Sequence, residues 1–526
     1  MRRACALFLL LAASCARCGS PRSAAAAEEL LPLHPSGAVV TAPLGALAAH
    51  FAALSDRLAS LPGGELLGEL RKGMTAQLGF DPLTRDGLLS AGVDPQRGAA
   101  VALIEAQPRP EWTVALPLSN PTIFIQTIQR LLVERLGFAP VAGPPTHAKL
   151  FERNGQRLAL DVVRGYGLIA RGADPAALVA ERKLEESLAQ SAGFAAARQK
   201  LGAQDVVVWA PFGSALPKRY TARTLPGDVA LSLQGAEKGL GLRLLAQLPQ
   251  ADAAQASAAL PGGGAALFDL LPGDAPLRAR LGVAPAQLLA MLRGDARTAA
   301  MLDKLKGVDA VFAALLPGAV VSLGVARNAS IAGAVDYGLD WRRKSPFDTV
   351  QLVALAQAAD GPRVLAALEV LARQLPDLGA KVERGDAAAG PSREGRSPGS
   401  GDFQITYAGG KGARFGVRQI DGKPVAYLLG GALKPEDLRA TPRPANPEAA
   451  ALYADPGAAA RADFGKLAAQ VHALPDTTYG SGPQSYVTRS VVAQVIDPLR
   501  PLRLTLGLQA QPDSLGATLD VEITAP

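Results

Sequence analysis

The sequence predicts an α+β protein: two tandem copies of a mostly antiparallel sheet packed with amphipathic helices. Three observations predict it. A long internal repeat runs through the 526 residues, the short apolar segments are joined by hairpin-turn dipeptides, and each copy carries a helix with matching capping chemistry. One hydrophobic core stops growing near ~250–300 residues, so a chain of this length needs two. The first copy spans 30–250 and the second 264–526, with 251–263 as junction; the Pro261-Gly262-Gly263-Gly264 run closes it.

Each copy begins with a helical stretch that leads into a strand. Leu66 to Leu78 followed by Ala99 to Ile104 parallels Ala299 to Leu305 followed by Ala319 to Gly324. A strand and a helix come next. Trp112 to Leu116 precedes a helix opened by Ser119 or Asn120, with Pro121 at its first position. Its Phe124, Ile128, Leu131, Leu132 and Leu136 fall on one face and Gly137 ends it. In the second copy Val350 to Leu355 precedes Asp360 as cap, Pro362 in the first turn, and Val364, Leu365, Leu368, Leu371 and Leu375 on one face.

Three short strands then follow in each copy. Leu150 to Glu152, Arg157 to Val163 and Tyr166 to Arg171 correspond to Phe403 to Tyr407, Ala413 to Arg418 and Pro424 to Leu429. Asn154-Gly155, Arg164-Gly165 and Asp421-Gly422 are hairpin signals, because a two-residue turn between twisted strands needs positive φ at both positions. A long hairpin closes each copy, Val229 to Leu248 and Leu502 to Ile523. Its alternation of apolar and polar residues implies a sheet with one buried face. Hairpins outnumber crossovers, so the expected arrangement has helices on one side of each sheet. The stretch 385–401 is rich in Gly, Ser and Pro and is expected to be a mobile loop, since it has little apolar surface to bury.

Hydrophobic residues make up 48% and charged residues 19% of the chain, which is a globular rather than a disordered composition. A net charge of +7 raises the question of nucleic acid. The densest basic stretches, Arg342-Arg343-Lys344 and Lys218-Arg219, are short and lack interleaved stacking aromatics, so nucleic acid is excluded as a partner. All three cysteines, Cys5, Cys15 and Cys18, precede the folded body, which therefore has neither a disulfide nor a thiolate zinc site.

Residues 1–14 read as a signal peptide, with Arg2 and Arg3 before the apolar Ala4 to Ala13. Leu11-Ala12-Ala13-Ser14-Cys15 resembles the lipobox of bacterial lipoproteins, with Ala12 departing from its usual larger aliphatic residue. The resemblance implies acylation of Cys15, a tether over 15–29, and a membrane-anchored place in the cell envelope at the outer membrane. The alternative is a secreted or periplasmic protein cleaved after Ala24 to Ala27.

Catalytic patterns are weak. The four histidines, His34, His50, His147 and His472, show no metal-ligand spacing, and each reads as a surface or helix histidine. Gly395 to Gly399 matches G-x-S-x-G around Ser397, but it lies in the low-complexity stretch rather than between a strand and a helix. Gly165 to Ala170 matches G-x-G-x-x-A, yet apolar pairs flank it like the arms of a hairpin. Asp336, Asp340 and Asp348 lie near Trp341, with nothing to set their separation.

The Leu270-Leu271-Pro272-Gly273-Asp274 run, the Gly92-Val93-Asp94 stretch and the Leu-rich helices resemble an uncharacterised family of bacterial exported proteins built on a duplicated domain of unknown function. The resemblance implies the duplicated fold and supplies no catalytic residues. The sequence thus reads as a non-catalytic binding or scaffolding lipoprotein without cofactor or metal. Its expected partners are the bilayer and an envelope protein, polysaccharide or apolar ligand. The alternatives are an envelope hydrolase acting on polysaccharide or lipid and an apolar-ligand or lipid carrier.

Overall fold

The computed structural model describes residues 25–59, 64–105, 110–142, 147–211, 227–236, 239–326, 349–378, 380–384, 401–407, 412–431, 433–438, 457–480 and 482–524. The chain forms two compact units, Met1–Glu237 with Leu242–Gln247 and Lys238–Gly241 with Leu248–Pro526. The signal and lipidation segment with Cys5, Cys15 and Cys18 lies outside the described residues, as do 385–400, Ser397, Asp336, Asp340, Trp341, Asp348 and both basic stretches. Gly401 opens a strand.

The first unit contains β1 (Gly37–Pro43), β2 (Gly98–Glu105), β3 (Glu111–Pro117), β4 (Ala139–Val141), β5 (Lys149–Arg153), β6 (Gln156–Val163), β7 (Tyr166–Arg171), β8 (Val206–Pro211), β9 (Asp228–Ala236) and, from Leu242 on, β10 (Gly239–Gln247). Their hydrogen-bonded order is β10-β9-β8-β1-β2-β3-β7-β6-β5-β4. The second unit contains β11 (Leu277–Leu281), β12 (Ala319–Val325), β13 (Val350–Gln357), β14 (Ala380–Arg384), β15 (Gly401–Tyr407), β16 (Ala413–Ile420), β17 (Lys423–Gly430), β18 (Ala458–Asp463), β19 (Leu502–Gln511) and β20 (Ser514–Ile523). Its order is β20-β19-β18-β11-β12-β13-β17-β16-β15-β14. Ten added to every strand number of the first order yields the second. The protein is α+β, with the same antiparallel strand order repeated in both units and helices packed against it.

The local reasons are those of turn and cap chemistry. Asn154, Arg164 and Asp421 hold positive φ of 50°, 49° and 49°, and the glycine after each does too. These are the paired left-handed residues of a two-residue hairpin turn, and Gly165-to-Ala170 is therefore a turn and a strand, not the mouth of a dinucleotide site. Asn120 caps the Pro121–Arg130 helix by accepting from the Ile123 amide at 3.1 Å. Asp360 does the same for Gly361–Ala372 through the Arg363 amide, also at 3.1 Å. Gly92 combines φ of 76° with a packing requirement, since a Cβ there would lie 2.5 Å from the Asn120 carbonyl oxygen and 2.6 Å from the Phe124 nitrogen.

Two expectations are corrected. Helices were expected on one side of each sheet, yet β6 and β7 bury both faces. Ala159, Val163, Tyr166, Leu168 and Ala170 join one apolar cluster; Leu158 and Leu160 join another with Phe124, Ile128 and Phe151. Successive strand residues point to opposite faces, so the unbroken run Leu158-Ala159-Leu160 requires cover above and below. The tether was expected to reach residue 29. Ala27–Leu30 is instead a short 3-10 helix whose Ala27, Glu28 and Leu30 are buried, and it contributes to the first core.

Candidate functional site

A groove in the second unit is the candidate site. It forms where the chain leaves β18 and enters the Phe464–His472 helix. Asp463 starts that helix by accepting from the Lys466 amide at 3.0 Å, its own amide donates to the Pro276 carbonyl at 2.7 Å, and Arg503 Nε donates to its other oxygen at 3.2 Å. These bonds allow a buried carboxylate at the junction and fix the direction of the helix. Ala468 and Val471 turn into the core. Other positions of the helix line the groove.

One end of the groove is apolar. Pro276, Leu277, Leu323, Gly324, Val325, Val350, Phe464 and Leu467 line an open hollow of about 300 Å³, with Thr349, Ala462 and Asp463 completing its wall. The other end is mixed. Asp274, Gln351, Lys466 and Gln470 stand with Val325, Ala469, Ala473 and Leu474 around about 390 Å³. Val325 belongs to both ends. Lys466 and Gln470 are one helical turn apart, so they present adjacent polar groups on the same side.

Gln470 ties the helix to two other elements. Its Nε2 donates to the Asp274 carbonyl at 3.0 Å, and its Oε1 accepts from the Val325 amide at 2.9 Å. Gly324 leaves room for this amide, because a Cβ there would lie 3.1 Å from Gln470 Oε1. Lys466 Nζ donates to the Gly273 carbonyl. Burial pushes the Lys466 ammonium below its ordinary pKa; Arg278 and Arg461 push the same way, while Asp463 and Asp274 oppose them. Arg278 lies over the Phe268 ring at 4.4 Å and donates to the Phe268 carbonyl at 2.7 Å. The Leu270-to-Asp274 run singled out in the sequence thus supplies two of the carbonyls that hold the groove's polar side chains.

The groove stands where the second copy departs from the first. β2 and β3 are separated by the chain between Glu105 and Glu111, whereas Val325 and Val350 bound a far longer segment between β12 and β13. Pro211 and Asp228 bound the connection from β8 to β9, against Asp463 and Leu502 between β18 and β19, where the groove-lining helix lies.

The histidines fall elsewhere. His34 and His147 are exposed. His50 Nδ1 lies 2.7 Å from Asp205 Oδ2, which also accepts from the Gly235 amide at 2.6 Å. His472 Nε2 lies 2.6 Å from Asp497 Oδ1, and Arg500 Nε is 2.9 Å from the same oxygen. Neither pair was legible in the sequence, because each partner is distant along the chain and no spacing rule applies. None of the four histidines lines the groove. Among the described residues, no hydroxyl completes a nucleophile–base pair with His50, and no group of three or more His, Cys, Asp or Glu side chains is placed to hold a metal ion. Among the same residues no helix is long and apolar enough to cross a membrane.

No family model matches this chain, and no curated protein does. Two crystal forms of TP0453, a Treponema protein, show a distant structural likeness. Form IV is 11% identical with a TM-score of 0.24, over 42% of this chain and 79% of that one. Form I is 12% identical with a TM-score of 0.25, over 46% of this chain and 88% of that one. The likeness spans under half of this chain.

Proposed function

We propose that this protein is a non-catalytic binding module of the cell envelope, anchored through acylated Cys15, and that the groove of its second unit holds a small amphipathic molecule. The observation that carries the reading is an apolar hollow and a mixed one that share Val325 and are both lined by the Phe464–His472 helix. Apolar side chains with a few placed polar groups are the usual composition of a small-molecule site. The N-terminal sequence supports the envelope location.

The test is equilibrium binding of the neutral apolar dye N-phenyl-1-naphthylamine, read by its fluorescence. Val350→Trp and Ala469→Trp each place an indole at a groove wall from positions outside the buried core. Both should weaken dye binding at least tenfold while leaving the unfolding temperature within a few degrees. Undiminished binding in both variants would remove the groove from consideration.

His50 and Asp205 favour a second reading, an envelope hydrolase, because a buried carboxylate behind an imidazole is the orienting half of a base. Purified protein that hydrolyses an ester or glycoside probe, and loses that activity in His50→Ala, would establish it.

A further inference from the structure

The groove's two ends differ in what they offer a ligand. Leu277, Leu323, Phe464 and Leu467 offer an apolar wall over about 300 Å³, near the lower limit of ~300 Å³ for small-molecule pockets. That room suits one chain of a lipid rather than two. At the other end the Lys466 ammonium has three donors and gives one to the Gly273 carbonyl. Its charge is partly desolvated, so an anionic oxygen brought beside it would restore lost solvation with a charge-assisted hydrogen bond.

Arg278, from β11, and Arg461, from β18, add positive potential, while Asp463 and Asp274 subtract from it. Asp463 is already engaged by Arg503 at 3.2 Å, and Arg461 stands 3.9 Å from Glu522. Asp274 is the weakest of the influences on Lys466. Gln470 Nε2 is fixed beside Lys466 by its bond to the Asp274 carbonyl, so the amide orients the polar end without changing its charge.

Resting on the binding reading above, we infer that the groove selects a free single-chain amphiphile with a carboxylate head, the fatty-acid class, with the carboxylate at Lys466 and the chain along Leu277, Leu323, Phe464 and Leu467. A neutral head of the same chain length would lose the ammonium contact. A two-chain phospholipid would exceed the apolar end.

The experiment is calorimetric titration of the full-length protein with dodecanoate and with dodecanol, both below their aggregation limits, at low and high salt. Dodecanoate should bind at least tenfold more tightly than dodecanol at low salt, and the preference should shrink as salt screens the charge. Lys466→Gln should abolish the preference, Lys466→Arg should retain it, and Val350→Trp should weaken both ligands. The salt dependence is read on the unaltered protein, so it stands even where a variant misfolds. Equal binding of the two ligands with no salt effect overturns the carboxylate assignment and leaves the binding reading standing. Binding of neither ligand overturns both. Binding to phosphatidylglycerol vesicles without binding dodecanoate overturns the single-chain assignment in favour of a bilayer lipid.

Discussion

Gln470 Oε1 accepts the Val325 backbone amide at 2.9 Å across 145 residues of chain. That bond joins the helix after β18 to the end of β12, and the second bond, from Nε2 to the Asp274 carbonyl, adds the loop before β11. The side chain therefore acts as a tie between three segments rather than as surface decoration.

Gln470→Leu should loosen that tie. The part-buried Val325 amide loses its partner at a cost of about 1–3 kcal/mol, whereas the exposed Asp274 carbonyl turns to water. Amide hydrogen exchange should accelerate at Val325 well before it does at Val353, whose side chain is buried in the core of the same sheet. Unchanged exchange at Val325 would show that the bond contributes nothing.

Gly92→Ala should be far more costly than Gly155→Ala, although both glycines have positive φ. Strain alone costs an alanine roughly 1–2 kcal/mol. At Gly92 the new Cβ also meets backbone at 2.5 and 2.6 Å, whereas at Gly155 nothing lies within 4 Å. Chemical denaturation of the two variants checks this. Equal losses would mean that the loop before the Pro121–Arg130 helix yields without cost.

The pH dependence of Lys466 has a definite sign. Burial first, then Arg278 and Arg461, lowers its folded pKa below the ordinary 10.5. Between those two values the unfolded chain binds more protons, so the lysine's contribution to stability rises with pH. That contribution is present above the unfolded pKa and is lost as pH falls through the folded one. Lys466→Met should thus be at least as stable as the wild type at pH 7, with the difference moving in the wild type's favour toward pH 11. A variant less stable at pH 7 and no better at high pH would show that the Gly273 hydrogen bond outweighs desolvation.

His50→Ala, His147→Ala and His472→Ala should leave groove binding and envelope function unchanged, and Ser397→Ala should do likewise. Asp205→Ala should destabilise the first unit by about 1–3 kcal/mol, because it strips the Gly235 amide of its acceptor. Complementation of a deletion strain, scored beside protein level, separates the two effects. A histidine variant that accumulates normally but fails to complement would point to chemistry at that residue.

Cys15→Ala should prevent acylation. Labelled fatty acid should enter the wild-type protein and not the variant, since the anchor depends on one thiol. Label in both, or in neither, would exclude Cys15 as the acylated residue.

Much of the fold was legible because its determinants are local. Asn154-Gly155, Arg164-Gly165 and Asp421-Gly422 announce hairpins through the φ angles that they alone must adopt. Asn120 with Pro121, and Asp360 with Pro362, announce helix starts through atoms within three residues. β1 and β8 were not legible as partners, although they pair from Ala38 with Trp209 to Thr41 with Val206. Their alignment depends on chain returning from far away, and neither strand carries a turn signal of its own.

The amino-acid order by itself determined the duplicated α+β plan, because period-two and helical patterns recur in the same succession in both copies. The tertiary structure alone decided the groove. Lys466 and Gln470 are ordinary polar residues on an amphipathic helix until β12, β13 and the Gly273-Asp274 loop are brought against them. The His50–Asp205 pair likewise exists only because Asp205, just before β8, is brought against the Leu44–Leu58 helix. Secondary structure follows from neighbours in sequence, whereas a binding wall is assembled from segments whose proximity is set by long-range strand pairing.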